Sequence, residues 1–109
     1  MSDAAIIADG EGRYTISGEL TFTTVPNLWR AGFGRVGAGQ VQMDLSGITR
    51  VDSAGIALLI ELIRTIRKRG GDVSLEHAPP QLMAIATVSG LDTVLPFAEV
   101  DKSTGKLGA

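Results

Sequence analysis

Hydrophobic and polar residues alternate at the start of the most strongly patterned part of the chain, VQMDLSG. A period of two predicts a β-strand with one buried face, and that face carries Val41, Met43 and Leu45. The pair Ser46-Gly47 predicts a turn at the end of this strand.

After a short apolar segment, the spacing of hydrophobic residues changes to the 3.6-residue period of an α-helix. One side of this helix carries its apolar residues: Ile56, Leu59, Ile60, Ile63 and Ile66. Cations at positions 67–69 suit the negative end of the helix dipole, and Gly70 ends the helix. The strand thus leads into a long buried helix. The polar start of that helix, DSAG at positions 52–55, is the best candidate for a functional point.

The chain before this central unit predicts a hairpin and a short helix. Two strands, 4–8 and 13–17, flank a turn over 9–12 that contains two glycines. Thr24 can cap the helix, and Pro26 fits its first turn. The apolar side of this helix carries Val25, Leu28, Trp29, Phe33 and Val36. We interpret Trp29 as core filling and not as a ligand-stacking residue.

The chain after the central unit predicts a strand over 72–76 and a short helix between Pro79-Pro80 and Gly90. Strands that alternate with helices are typical of an α/β domain. Because the hairpin is antiparallel, we expect a mixed β-sheet with helices packed mainly on one face. We expect one domain over residues 1–100 and a flexible polar tail over 101–109.

Composition narrows the function classes. The chain has 109 residues, a formal net charge of −2 and no cysteine. Nucleic-acid binding usually requires a basic surface, which this net charge does not indicate. The absence of cysteine excludes disulfides and thiolate metal sites. No leader sequence or long apolar stretch is visible, so we expect a cytoplasmic protein. The cations at 64 and 67–69 are interpreted as dipole compensation and solvated surface; contact with an acidic partner or anionic lipid is the alternative.

Motifs with catalytic potential are incomplete. GFGRVG at 32–37 is a literal GxGxxG, but it follows a helix and precedes a strand, which is the reverse of the dinucleotide-binding order. Ser53 lacks the first glycine of a nucleophile elbow. The one imidazole, His77, stands beside two prolines without metal ligands at suitable spacing. Asp44 and Asp52 are interpreted as a strand end and a helix cap, not as paired catalytic carboxylates. We therefore predict no enzyme activity, no metal and no cofactor.

The central unit reads MDLSGITRVDSAGIALLIEL. This stretch resembles the signature of the STAS family, the domain of the anti-sigma-factor antagonists. In that family a serine or threonine stands between an aspartate and a small pair at a helix start, and Asp52, Ser53 and Gly55 match those positions. The resemblance implies the STAS fold and a role in protein binding.

Ser53 has two interpretations. It is either a helix cap or a residue that contacts a partner and can accept a phosphate; the family resemblance favours the second. The resemblance extends the partner-binding surface to the neighbouring loop and helix face, with Asp52, Ala54, Gly55, Ala57, Leu58 and Glu61.

The apolar side of the helix is wider than packing against a single neighbour requires, because Leu58 and Leu62 lie at its edge. Either a neighbouring helix covers these two leucines or a partner does.

Two further stretches are similar to one group within the family. They are SGEL at 17–20 followed by Leu28-Trp29, and IATVSGL at 85–91 followed by VLP at 94–96. Both resemble the small STAS subunits of the MlaB group, which belong to Mla-type ABC phospholipid transporters. This resemblance implies a subunit that binds and regulates the transporter's cytoplasmic ATP-binding subunit and meets the inner membrane only through that complex. The alternative is an anti-sigma-factor antagonist that a serine kinase of the anti-sigma-factor type phosphorylates on Ser53.

Overall fold

The computed structural model describes residues 4–31 and 39–98. Its elements are β1 (Ala5–Gly10), β2 (Arg13–Leu20), α1 (Val25–Ala31), β3 (Gln40–Val51), α2 (Ser53–Lys68), β4 (Asp72–Glu76) and α3 (Pro80–Val88). The predicted apolar positions Phe33 and Val36, the glycine motif at 32–37 and the tail at 101–109 lie outside the described residues. None of the described helices is long and apolar enough to cross a bilayer.

The four described strands form one mixed sheet in the order β1-β2-β3-β4. β1 and β2 are antiparallel, whereas β3 runs parallel to both β2 and β4. The prediction of a mixed sheet that begins with a hairpin is confirmed. The hairpin strands are longer than predicted, so the connecting turn shrinks to Glu11-Gly12.

The hydrophobic core lies between one face of the sheet and the helices. α2 packs against β2, β3 and β4, α3 packs against β3 and α2, and α1 contacts α2. The side chains at the centre of this core are fully buried: Ile16, Met43, Leu45, Leu59, Leu62 and Ile66. The opposite face of the sheet carries polar residues such as Arg13, Gln42 and Asp44, which are exposed or half-buried. The alternation in β3 therefore separates core from solvent, as the period of two predicts.

The predicted turn at Ser46-Gly47 is wrong, because β3 continues through it to Val51. The neighbouring strand β2 pairs with β3 from Gln42 to Val51, on both sides of the expected turn, and the register shifts beside this point. A Cβ on Gly47 would lie 3.0 Å from Cβ of Ser17 and 3.1 Å from the carbonyl oxygen of Ile16. A side chain at position 47 would require its neighbours to shift by a few tenths of an ångström, so glycine suits the close approach of the two strands.

Helix α1 begins where Thr24 and Pro26 predict, but the Thr24 hydroxyl does not cap the helix amides. Its Oγ1 accepts a hydrogen bond from the amide of Thr21 at 3.0 Å and donates one to the carbonyl of Glu19 at 2.6 Å. These bonds fix the start of α1 to the end of β2. Leu28 is buried, and Trp29 is half-buried against the core, which agrees with its interpretation as core filling.

Candidate functional site

Asp52 organises the start of helix α2. It occupies the extended position before the helix, and its Oδ1 accepts hydrogen bonds from the amides of Ala54 at 2.9 Å and Gly55 at 3.1 Å. Its Oδ2 accepts a third bond, from the amide of Phe22 at 3.0 Å. Asp52 is therefore the N-cap, and the interpretation of Ser53 as the cap is wrong. One carboxylate joins the helix start to the loop between β2 and α1.

These contacts favour the charged form of Asp52. Burial acts to raise the pKa of its carboxyl, but the bonds from the amides of Phe22, Gly55 and Ala54, together with the positive charge of Arg50, outweigh burial. The net pKa lies below the ordinary aspartate value of 3.8. The folded state stabilises the charged carboxylate more than the unfolded chain does. The free energy of unfolding therefore depends on pH through Asp52.

We expect Asp52→Ala to lower the free energy of unfolding by about 1–2 kcal/mol at neutral pH, which is the usual effect of losing such a cap. The contribution of a depressed pKa is complete above the unfolded pKa and is lost as the pH falls through the folded pKa. The difference between wild type and variant should therefore shrink as the pH falls below the ordinary aspartate value of 3.8. Urea unfolding at neutral pH and at a pH below 3.8 measures it.

The control for this experiment is Asp52→Asn, because asparagine keeps a capping oxygen without a charge. We expect it to retain most of the stability at neutral pH and to show less pH dependence than the wild type. A stability difference between the wild type and Asp52→Ala that is equal at both pH values would contradict the assignment of a charged cap.

Ser53 is the first residue of α2, and its side chain is exposed. Within residues 4–31 and 39–98 its hydroxyl has no hydrogen-bond partner. Ala57 and Glu61 follow at four-residue intervals and are also exposed, while Ala54 at the edge of this face is half-buried. The structure thus brings Ser53, Ala57 and Glu61 onto one solvent-facing side of α2, with the Asp52 cap at its end.

Two predicted members of the partner-binding surface are inside the domain, so their assignment to an exposed surface is corrected. Gly55 is buried, and a Cβ there would lie 2.0 Å from the carbonyl oxygen of Leu20. Leu58 is only 5% exposed and belongs to the hydrophobic core, as does Leu62. The wide apolar arc of α2 is therefore covered within the domain.

The structure separates His77 from Ser53. Nδ1 of His77 lies 3.2 Å from Oδ1 of Asp44. A backbone hydrogen bond from Ser46, aided by His77, holds the pKa of Asp44 below its ordinary value despite partial burial. Asp44 lies inside β3, not at its end as predicted, and Val51 is seven positions further along the strand, on the order of 20 Å away. No serine–histidine pair forms at the helix start.

The comparisons with known proteins agree with this geometry. The family described as "Mlab, STAS domain" matches residues 6–96. The chain belongs to the STAS family. This STAS domain is 35% identical over 82 residues to the "Intermembrane phospholipid transport system binding protein MlaB" of Escherichia coli (strain K12), covering 74% of this chain and 84% of that protein.

Solved structures confirm the predicted STAS fold. The anti-sigma-factor antagonist SpoIIAA in its unphosphorylated form is similar with a TM-score of 0.66 at 18% identity, covering 95% of this chain and 98% of that one. An anti-sigma-factor antagonist (STAS) domain protein from Planctomyces limnophilus is similar with a TM-score of 0.69 at 24% identity, covering 88% and 89%. At these identities the similarity concerns the fold.

One further residue lies beside the helix start of this STAS domain and was not predicted from the sequence. Phe22 lies in the loop between β2 and α1, and its side chain is 80% exposed. Only its backbone amide is held, by the Asp52 carboxylate. A single aromatic between a strand and a helix has no periodicity, so its exposure could not be predicted from the sequence. Among residues 4–31 and 39–98, no three histidine or acidic side chains converge as ligands for a metal ion.

Proposed function

We propose that this protein is a non-catalytic STAS subunit that binds and regulates the cytoplasmic ATP-binding subunit of an Mla-type ABC phospholipid transporter. The complex would maintain the lipid asymmetry of the outer membrane, and this subunit would meet the inner membrane through its partner. The observation that carries the proposal is the relationship to a protein named as the MlaB component of an intermembrane phospholipid transport system.

The start of α2 supports a docking role. Ser53 presents an exposed hydroxyl beside helix amides, and the next exposed position on this face is Ala57. Small side chains let the backbone of another protein approach closely, while Glu61 adds a charge at the far end of the contact. The proposed partner-binding surface therefore consists of Asp52, Ser53, Ala54, Ala57 and Glu61. Gly55 supports it from inside the domain.

We expect Ser53→Arg to leave the domain folded and to weaken binding of the ATP-binding subunit by at least about tenfold, because a bulky cation would displace the partner from a closely packed contact. Titration calorimetry with the purified ATP-binding subunit of the same organism's transporter measures the change. Circular dichroism and thermal melting of the variant establish that it is folded.

The matched control is Ser89→Arg, which places the same charge at an exposed serine after helix α3. We expect this variant to bind like the wild type. Full affinity of a folded Ser53→Arg variant would reject Ser53 as a contact residue. A wild-type protein that does not bind the ATP-binding subunit at all would reject the proposed function.

The exposed Ser53 hydroxyl also fits the second candidate function, an anti-sigma-factor antagonist. A phosphate there would add nearly two negative charges at a helix start whose dipole tolerates them. Incubation with an anti-sigma-factor kinase and ATP, followed by intact mass measurement, distinguishes the two functions. Stoichiometric phosphate on Ser53 would favour this candidate over the transporter subunit.

A further inference from the structure

Four large hydrophobic side chains are exposed in the described part of the chain: Ile7, Phe22, Val88 and Val94. Phe22 is the aromatic among them and the one joined to the start of α2. Single exposed hydrophobic residues are common on protein surfaces, so exposure alone assigns nothing to it. Its attachment to Asp52, which also caps the helix of the proposed partner contact, distinguishes Phe22 from the other three.

The backbone around Phe22 is held on both sides. Its own amide donates to Oδ2 of Asp52 at 3.0 Å, and the amide of Thr24 donates to the carbonyl of Thr21 at 2.9 Å. The amide of Asp52 in turn donates to the carbonyl of Leu20 at 3.3 Å. A backbone that is already held by hydrogen bonds loses little further conformational entropy when a partner binds. Phenylalanine adds a large apolar area with only two side-chain torsions.

We propose that Phe22 is an aromatic anchor of the partner-binding surface and that it inserts into an apolar pocket of the ATP-binding subunit beside the Ser53 contact. This inference rests on the proposed function and deepens it. Phe22 and Ser53 flank the same Asp52 carboxylate, so one rigid unit presents both to the partner. Aromatic residues surrounded by smaller contacts are typical centres of binding energy in protein interfaces.

The charges beside Phe22 favour a protein pocket over two other occupants. Asp52 is acidic, and Arg50 is the cation that acts on it. An anionic lipid surface requires clustered cations around an inserted aromatic, which this arrangement does not provide. A two-fold symmetric contact centred on Phe22 would bring the Asp52 carboxylates of the two copies close together. The surface around Phe22 is therefore complementary to an apolar pocket of the ATP-binding subunit with a neutral or basic rim.

Phe22→Ser tests the anchor in the full chain against the purified ATP-binding subunit. We expect the dissociation constant to rise by about 10- to 30-fold, as for other central aromatic contacts, with an unchanged melting temperature because the side chain has little burial to lose. Phe22→Leu should recover part of the affinity. Val88→Ser is the matched control: it removes an equally exposed apolar side chain, 89% exposed, from the far end of α3, and it should bind like the wild type.

Each other outcome has a defined meaning. Wild-type affinity of Phe22→Ser, with binding lost in Ser53→Arg, overturns the anchor and leaves the proposed function standing. Equal losses in Phe22→Ser and Val88→Ser overturn it in favour of unspecific adhesion. A dimer that Phe22→Ser dissociates in sedimentation velocity, or flotation with phosphatidylethanolamine–phosphatidylglycerol vesicles that Phe22→Ser abolishes, assigns Phe22 to those occupants instead. Absence of wild-type binding overturns both proposals.

Discussion

We expect Gly55→Ala to lower the free energy of unfolding by about 2 kcal/mol or more, although alanine is the better helix former. The added Cβ would lie 2.0 Å from the carbonyl oxygen of Leu20 and 2.9 Å from its carbonyl carbon. These are backbone atoms of β2, so the strand or the helix must move. The gain in helix propensity, about 1 kcal/mol, is too small to offset that displacement. Urea unfolding followed by circular dichroism measures the difference.

Ala57→Gly is the control, because it makes the reverse exchange at an exposed position of the same helix. We expect it to cost about 1 kcal/mol, which measures the propensity term in this helix without a steric contribution. If Gly55→Ala instead stabilised the domain by a similar amount, the close contact between α2 and the Leu20 carbonyl would be wrong. The two variants together therefore separate helix propensity from packing.

Local patterns were sufficient to predict most elements of the fold. Helix α2, strand β4 and helix α3 follow from apolar spacing and from Pro and Gly at their ends, since these signals act within a few residues. The end of β3 depends on a distant strand. Gly47 is read as a turn residue from its neighbours, but the close approach of Ser17 determines its role. No local signal contains that contact.

The helix start could be located from the sequence, whereas its hydrogen bonds could not. Both Asp52 and Ser53 are residue types that cap helices, so propensity does not decide between them. The bonds from the amides of Ala54 and Gly55 to Oδ1 of Asp52 decide it in the structure. A third bond, from the Phe22 amide to Oδ2 of Asp52, joins residues 30 positions apart and has no local sequence signal. The same hydrogen bond places Phe22 beside the helix start, and Phe22 therefore belongs to the candidate site.

Helical periodicity alone did not determine which residues of α2 are buried. Ile60 belongs to the predicted apolar stripe, yet it is half-buried at the rim of the core. Leu58 lies at the edge of that stripe, yet it is 5% exposed. A helical projection of the sequence identifies one buried side, as if the helix packed against a single neighbour. Helix α2 instead contacts the sheet, α1 and α3, so more of its circumference is covered.

We expect Leu58→Ala to lower the free energy of unfolding by about 2–4 kcal/mol, within the usual range for truncating a buried leucine. In a domain of this size such a loss reduces the melting temperature by on the order of 10 °C or more. Ile60→Ala should cost less, because its side chain already contacts solvent. Urea unfolding of both variants measures the order.

Binding of the ATP-binding subunit, measured where both variants are folded, should be unchanged by Leu58→Ala, since a side chain inside the core makes no contact with the partner. A stable Leu58→Ala variant with weakened binding would return Leu58 to the partner-binding surface.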